Sequence, residues 1–239
     1  MSGTIRNPLG EKLDYTFHPG TGDHIVVLGH GVTGNKDRPF VVALAEGLAK
    51  AGIPALRFSF AGNGASEGRF VDANISKEVG DLGAVLEALA GKAIAYVGHS
   101  MGGAVGVLRA SQDSRIRFLI SLAGMVHTAD FARREFGMVK PGEGFMWDNE
   151  DCPLSQAYMD DLGKIGSVVD RAPLIRVPWL LIHGSEDDVV PLQDSRDIYA
   201  RANDPKELFE IPGASHVFAG EATLPMVEKV VGWVKGQLG

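Results

Sequence analysis

The residues best suited to do chemistry lie in the run Gly98-His99-Ser100-Met101-Gly102. It follows an apolar segment, Ala93 to Val97, and leads into a stretch from Met101 to Ala110 that reads as a helix. Strand, sharp turn and helix is the setting in which G-x-S-x-G presents a serine nucleophile. Glycines two residues before and two after Ser100 remove side chains that would collide in so tight a turn. The turn is expected to hold Ser100 in a strained backbone region with Oγ facing a cleft. The helix N-terminus then directs free N–H groups at developing negative charge. The alternative is a Gly-rich structural turn with a passenger serine. The strand before the motif, and Gly103-Ala104 after it, favour the nucleophile.

A serine hydroxyl needs a base, and the base needs an orienting acid. Of the seven histidines, His18 and His24 flank early strands and read as surface. His99 is expected to point away from the Ser100 side of the turn, and His127 falls in a region that reads as an insertion. His216 remains. It lies in Gly213-Ala214-Ser215-His216-Val217-Phe218, a loop between a predicted strand, Glu207 to Ile211, and the last helix. Loops after sheet strands carry catalytic groups to the carboxyl edge. The acid is expected in the loop after the strand Trp179 to Ile182, where Glu186, Asp187 and Asp188 stand together. Charge alone does not choose among the three, but the order Ser, acid, His fits a hydrolase.

Gly29-His30-Gly31-Val32-Thr33-Gly34, after the strand His24 to Leu28, supplies a loop for binding an oxyanion. One N–H would come from Val32 and a second from Met101, the residue after the nucleophile. Nucleotide binding by a P-loop is disfavoured, because the pattern's Gly-Lys-Ser/Thr is missing and Lys36 is wrongly placed for it. Gly62-Asn63-Gly64 reads as a tight turn rather than a cofactor site. The histidines are scattered and Cys152 is the lone cysteine, so no metal site and no internal disulfide is expected.

These groups need a scaffold that brings them to one edge. The runs at His24, Ala55, Ala93, Phe118 and Trp179 are continuously apolar, as parallel strands covered on both faces are. Between them, Phe40/Leu44/Leu48 and Ile75/Val79/Leu82/Leu86/Leu89 step at helix period, and Leu224/Val227/Val231/Val234/Leu238 repeat it near the end. Glu11 to His18 suits an antiparallel edge. Alternating strands and helices predict a doubly wound, mostly parallel α/β sheet in one domain over 1–239. From Met125 to about Arg171 no strand is evident, and Phe131, Phe136, Phe145, Met146, Trp147 and Tyr158 accumulate. This stretch is expected to be a helical cap over the carboxyl edge, where open α/β sheets bind ligands. Trp147 is the candidate aromatic wall for substrate, and His127 a second candidate contact. A net charge of −7 without a Lys/Arg block disfavours nucleic acid as a partner. No apolar run suits a membrane span, and the first ten residues lack a secretory pattern, so a cytoplasmic protein is expected.

Taken together, four motifs in order resemble the α/β-hydrolase superfamily across nearly the whole chain. They are His30-Gly31-Val32, the segment Arg57 to Gly68, Gly98 to Gly102, and His183-Gly184 leading to Asp187 and Val190-Pro191. The resemblance selects Asp187 as the acid, since the family's acid usually stands three residues after that glycine, and His216 matches its base. Within the superfamily, His30 to Asp37 and Ser66-Glu67-Gly68 resemble small bacterial esterases of the cinnamoyl/feruloyl type, which carry a helical insert before the acid strand. Val32 stands where those esterases commonly have an aromatic, and Ser59 where Asp is usual. The first bears on acyl preference; the second lies off the triad. The resemblance implies a cofactor-free serine hydrolase of small carboxylic esters. Thioesterase, peptidase and carbon–carbon bond hydrolase activities share the same machinery, and a hydrolase-fold binding protein with weak turnover is a reading of a different class.

Overall fold

The computed structural model describes residues 3–238. Two short strands, β1 (Ile5–Arg6) and β2 (Lys12–Leu13), pair with each other in a small antiparallel ribbon. The main sheet has seven strands: β3 (Tyr15–His18), β4 (His24–Gly29), β5 (Ala55–Phe58), β6 (Ala93–His99), β7 (Ile116–Leu122), β8 (Trp179–Gly184) and β9 (Lys206–Ile211). Their order is β3-β5-β4-β6-β7-β8-β9, with only β3 antiparallel. The helices are α1 (Pro39–Lys50), α2 (Ile75–Ala88), α3 (Met101–Ala110), α4 (Thr128–Phe136), α5 (Gln156–Ile165), α6 (Leu192–Arg201) and α7 (Thr223–Leu238).

The strands alternate between two cores even though they read as continuously apolar. Val26, Leu28, Val97, Ile120 and Leu180 face α1 and α7. Ile25, Val27, Tyr96, Leu119 and Leu181 face the opposite core, built with α2, α3 and α6. Both faces are therefore covered, which is why no polar alternation marks these strands. Because β4 to β9 run parallel, their carboxyl ends lie on one edge, and the loops carrying the candidate groups leave from it.

Between β7 and β8, α4 and α5 pack on each other, with short 3-10 segments at Met146–Asp148 and Val169–Leu174. Phe131, Phe136, Leu154, Tyr158 and Leu162 from this segment are buried and continuous with the α2–α3 core. Asp161 on α5 accepts from the Ser76 N–H (3.0 Å) at the start of α2, and Val168 N–H donates to the Val126 carbonyl (2.9 Å). The helical insertion expected over 125–171 is thus moored to the body of the domain.

Two expectations change. Of the edge segment Glu11 to His18, only Tyr15–His18 joins the main sheet, while Lys12–Leu13 turns to Ile5–Arg6. On α7 the buried face is Met226, Val230 and Val234, and Leu224 is 62% exposed. Residues two apart on a helix point about 200° from each other, so Leu224 and Met226 cannot share a face.

Two buried polar groups fix the loops next to the edge. Asp81 on α2, fully buried, accepts from the Ala61 N–H (2.8 Å) after β5 and from the Asn7 amide (2.7 Å) in the N-terminal arm. His30, just past β4, places Nδ1 2.8 Å from the Gly31 carbonyl, while Nε2 accepts from the Phe60 N–H (3.0 Å). A carbonyl only accepts, so the proton sits on Nδ1 and the ring is neutral. Burial lowers the His30 pKa from 6.5 to about 4.

Asp81→Ala should therefore leave the Ala61 N–H and the Asn7 amide without their acceptor. A loss of about 1–3 kcal/mol per orphaned group is expected, measured as a lower urea midpoint with an unchanged m-value. For His30, the unfolded chain takes up a proton near pH 6.5 that the folded protein refuses until about 4. Its contribution is full above 6.5 and is withdrawn as pH falls toward 4, by on the order of 3 kcal/mol. Unfolding free energies of His30→Gln should fall less steeply than wild type over that interval. Parallel slopes would contradict the assignment.

Candidate active site

Ser100 stands between β6 and α3 at φ 53°, ψ −120°, a conformation that costs an L-residue on the order of 1–3 kcal/mol. Three backbone hydrogen bonds hold it there. Its N–H donates to the Leu122 carbonyl (3.0 Å), and its own carbonyl accepts from Gly103 N–H (2.8 Å) and Met125 N–H (2.9 Å). A side chain at Gly98 would collide with the Gly102 carbonyl, so the glycine spacing read from the sequence has a steric cause.

Facing Ser100 is the turn 31–34, closed by Gly34 N–H donating to the Gly31 carbonyl (3.0 Å), with Thr33 at φ 57°. A Cβ on Gly31 would lie 2.7 Å from the Ser100 Cβ and 3.2 Å from its Oγ, so only glycine lets the loop come this close. Among the described residues, neither Val32 N–H nor Met101 N–H has an acceptor within the protein. Free N–H groups beside a serine hydroxyl suit a developing oxyanion. Ser59, buried, anchors the far side of this loop by accepting from the Lys36 N–H (3.1 Å).

The geometry separates the three adjacent acids. Glu186 and Asp188 are exposed, whereas the Asp187 side chain has no solvent exposure. Asp187 Oδ1 accepts from the N–H groups of Val189 (2.9 Å) and Val190 (2.8 Å). Oδ2 lies 2.8 Å from His216 Nδ1 and 3.2 Å from His183 Nε2. Burial alone would raise the Asp187 pKa. The hydrogen bonds from His183 and His216 outweigh it and hold the carboxyl far below the usual carboxylate range. The Asp187 carboxylate favours the His216 tautomer that carries its proton on Nδ1 and presents Nε2 as an acceptor. His216 and Ser100 line the same cleft.

Two histidines do more than the sequence indicated. His183, fully buried, accepts from the Ser195 hydroxyl at Nδ1 (2.7 Å) and donates from Nε2 to the Val190 carbonyl (2.9 Å), with Asp187 alongside. His99 places Nε2 2.9 Å from the His216 carbonyl, and the two rings lie tilted at 48° with centroids 4.7 Å apart. Burial pushes the His99 pKa well below its ordinary value, so this ring is a neutral brace for the loop carrying His216.

The cleft encloses about 280 Å³ and is walled mainly by Val32, Phe40, Trp147, Val189 and Val217. Trp147 reaches it from the insertion, 44% exposed, with its indole N–H donating to Glu135 (3.1 Å) and its ring edge-on to Phe136 at 4.9 Å. His127 is not brought to this cleft: its Nε2 lies 2.9 Å from Asp197 on α6, and the ring is absent from the lining. At the start of α4 the ring is instead engaged by that carboxylate. Among the described residues, no group of three or more His, Cys, Asp or Glu is placed to hold a metal ion. No helix among them is long and apolar enough to cross a membrane.

The fold has counterparts. The uncharacterized protein Rv2307c of Mycobacterium tuberculosis is 30% identical over 187 residues, 75% of this chain and 59% of that protein. The chain thus spans about 59% of that relative's length. Est1E from Butyrivibrio proteoclasticus, solved with ferulic acid bound, superposes with a TM-score of 0.86 at 24% identity, over 99% of each chain. Mouse alpha/beta hydrolase domain-containing protein 10 superposes with a TM-score of 0.83 at 18% identity, again over 99% of each. The model of the alpha/beta hydrolase family matches residues 25–228, and the chain belongs to that family.

Proposed function

We propose that this protein is a serine hydrolase of carboxylic esters working through an acyl-enzyme. The observation that carries the reading is a buried carboxylate, Asp187, 2.8 Å from His216 Nδ1, with His216 and Ser100 on one cleft. In this reading His216 Nε2 takes the Ser100 proton as Oγ bonds to the ester carbonyl carbon. The carbonyl oxygen, now negative, is held by the N–H groups of Val32 and Met101. One such donor is worth roughly 10²–10³ in rate. Collapse breaks the bond to the alcohol oxygen, which takes the proton from His216. Water then repeats the cycle: His216 removes its proton, hydroxide oxygen bonds to the acyl carbon, and Ser100 Oγ leaves with that proton. Every proton is shuttled by one imidazole and no external co-reactant besides water is consumed.

Asp187 stabilises the imidazolium in both halves and fixes its tautomer. The apolar walls, Trp147 among them, suit a hydrocarbon or aryl portion of the substrate. The solved Est1E complex, with ferulic acid in a similar fold, is consistent with a small acid of that kind as the acyl group.

Ser100→Ala should remove ester hydrolysis, by on the order of 10⁶ in kcat as when a serine nucleophile is deleted elsewhere, with an unchanged melting temperature. A fluorophosphonate adduct in the wild type should map by mass spectrometry to Ser100. Turnover by the alanine variant comparable to wild type would overturn the covalent route.

Asp187→Asn should lower kcat by roughly 10⁴, whereas Asp188→Asn, at an exposed position, should leave it within a factor of about two. Reversal of these two effects would move the acid to the neighbouring position. Because Asp187 stays ionised far into acid, the acid limb of the wild-type pH–rate profile should not be that of a carboxylate. A limb falling at pH 4 or below would contradict this.

A further inference from the structure

Arg38 contributes the only Lys, Arg, Asp or Glu side chain to the lining of the cleft. It leaves the oxyanion-binding loop immediately before α1, and its guanidinium donates once, from Nη2 to the Thr33 carbonyl (3.0 Å). That bond tethers the side chain to the loop, yet four of its five N–H donors are left over. Neighbouring cations are treated differently. Lys36 is paired with Asp14 (3.4 Å) and Asp37 (2.9 Å), and Arg57 with Asp37. Among the described residues, no carboxylate lies within 4.0 Å of Arg38.

An unpaired guanidinium on a mostly apolar cleft has a chemical meaning. The protein as a whole carries −7, which repels anions at long range, so a cation kept free at the mouth counteracts that field locally. The planar fork also matches a carboxylate with two parallel hydrogen bonds, a match that a lysine does not offer.

We infer that Arg38 is a specificity residue and that the substrates are esters carrying a free carboxylate, which Arg38 receives while Ser100 takes the ester carbonyl. This rests on the serine-esterase reading above and narrows its substrate class. The carboxylate can belong to the acyl chain or to the leaving group, and the experiment carries both arms.

Mono(4-nitrophenyl) esters of succinic, glutaric and adipic acids are compared with neutral 4-nitrophenyl esters of matched length. 4-Carboxyphenyl acetate is compared with 4-carbamoylphenyl acetate. The quantity read is the ratio of kcat/KM, anionic over neutral, in wild type, Arg38→Gln and Arg38→Lys. In at least one pair the ratio should fall about 10- to 100-fold in Arg38→Gln, as expected for a charge-assisted hydrogen bond, with Arg38→Lys between the two. It should also fall with added salt in the wild type only. A ratio unchanged by Arg38→Gln in every pair overturns the inference even if all esters are hydrolysed. Absence of hydrolysis of every ester overturns the esterase reading instead. In that case titration calorimetry of glutarate monomethyl ester against wild type and Arg38→Gln still reads the anion site: equal affinities, or no heat with either, count against it.

Discussion

A carboxylate without solvent contact survives only where donors replace the water it has lost. Asp187 meets that condition with two backbone N–H groups and two imidazoles. Each donor comes with a structural demand. The N–H groups require the loop after β8 to curl back on the carboxylate. His183 requires the end of β8 to stay buried, and its other nitrogen draws in Ser195 from α6. His216 requires the loop after β9 to lie across the edge. The anion thus organises three segments far apart in sequence, and His216 acquires its orientation as one part of that arrangement. Replacing one donor would leave charge uncompensated in a dry place, which is why such a site is built as a whole.

The second constraint is steric and sits on the other side of the cleft. Ser100 is held in its unfavourable conformation by bonds from β7's end and from the turn that starts α3. The glycine opposite it permits the loop after β4 to approach its hydroxyl. The parallel sheet is what makes these constraints compatible. Registered neighbours such as Gly29 with Gly98, and Gly98 with Ser121, bring the ends of β4, β6 and β7 level with one another. The insertion then closes the open side with Trp147, whose own backbone is at φ 48°. Strained residues gather around the cleft because the surrounding packing over-determines them.

Much of this was legible in the sequence, for reasons that differ by residue. Buried parallel strands are short apolar runs, and those at Ala55–Phe58 and Trp179 onward start where the residues indicated. Ser100 was legible because the glycines that a tight turn needs flank it. The choice of Asp187 among three acids needed a family pattern, since which carboxylate turns inward depends on backbone N–H groups that no spacing displays. His183 and His99 were not legible as supports. Their partners Ser195 and His216 are 12 and 117 residues away, and the sequence shows a histidine but not what its two nitrogens meet. The same holds for His127, whose partner Asp197 lies on α6, 70 residues on. The α7 stripe failed at Leu224 because several apolar positions offered more than one helical face.

The tryptophans of this chain report from different depths. Trp179 is in the core, with its indole N–H on Ser121 (3.1 Å), and Trp233 lies edge-on to Phe118 on the α7 side of the sheet. Trp147 alone among the three lines the cleft and meets solvent over nearly half its surface. Indole emission shifts to the red as water reaches the ring, so the molecule carries its own optical labels. The most water-exposed indole is that of the cleft and responds to what fills it, whereas the bluest component, from Trp179, follows the integrity of the core. Occupancy and unfolding therefore leave separable spectral signatures in the unmodified protein.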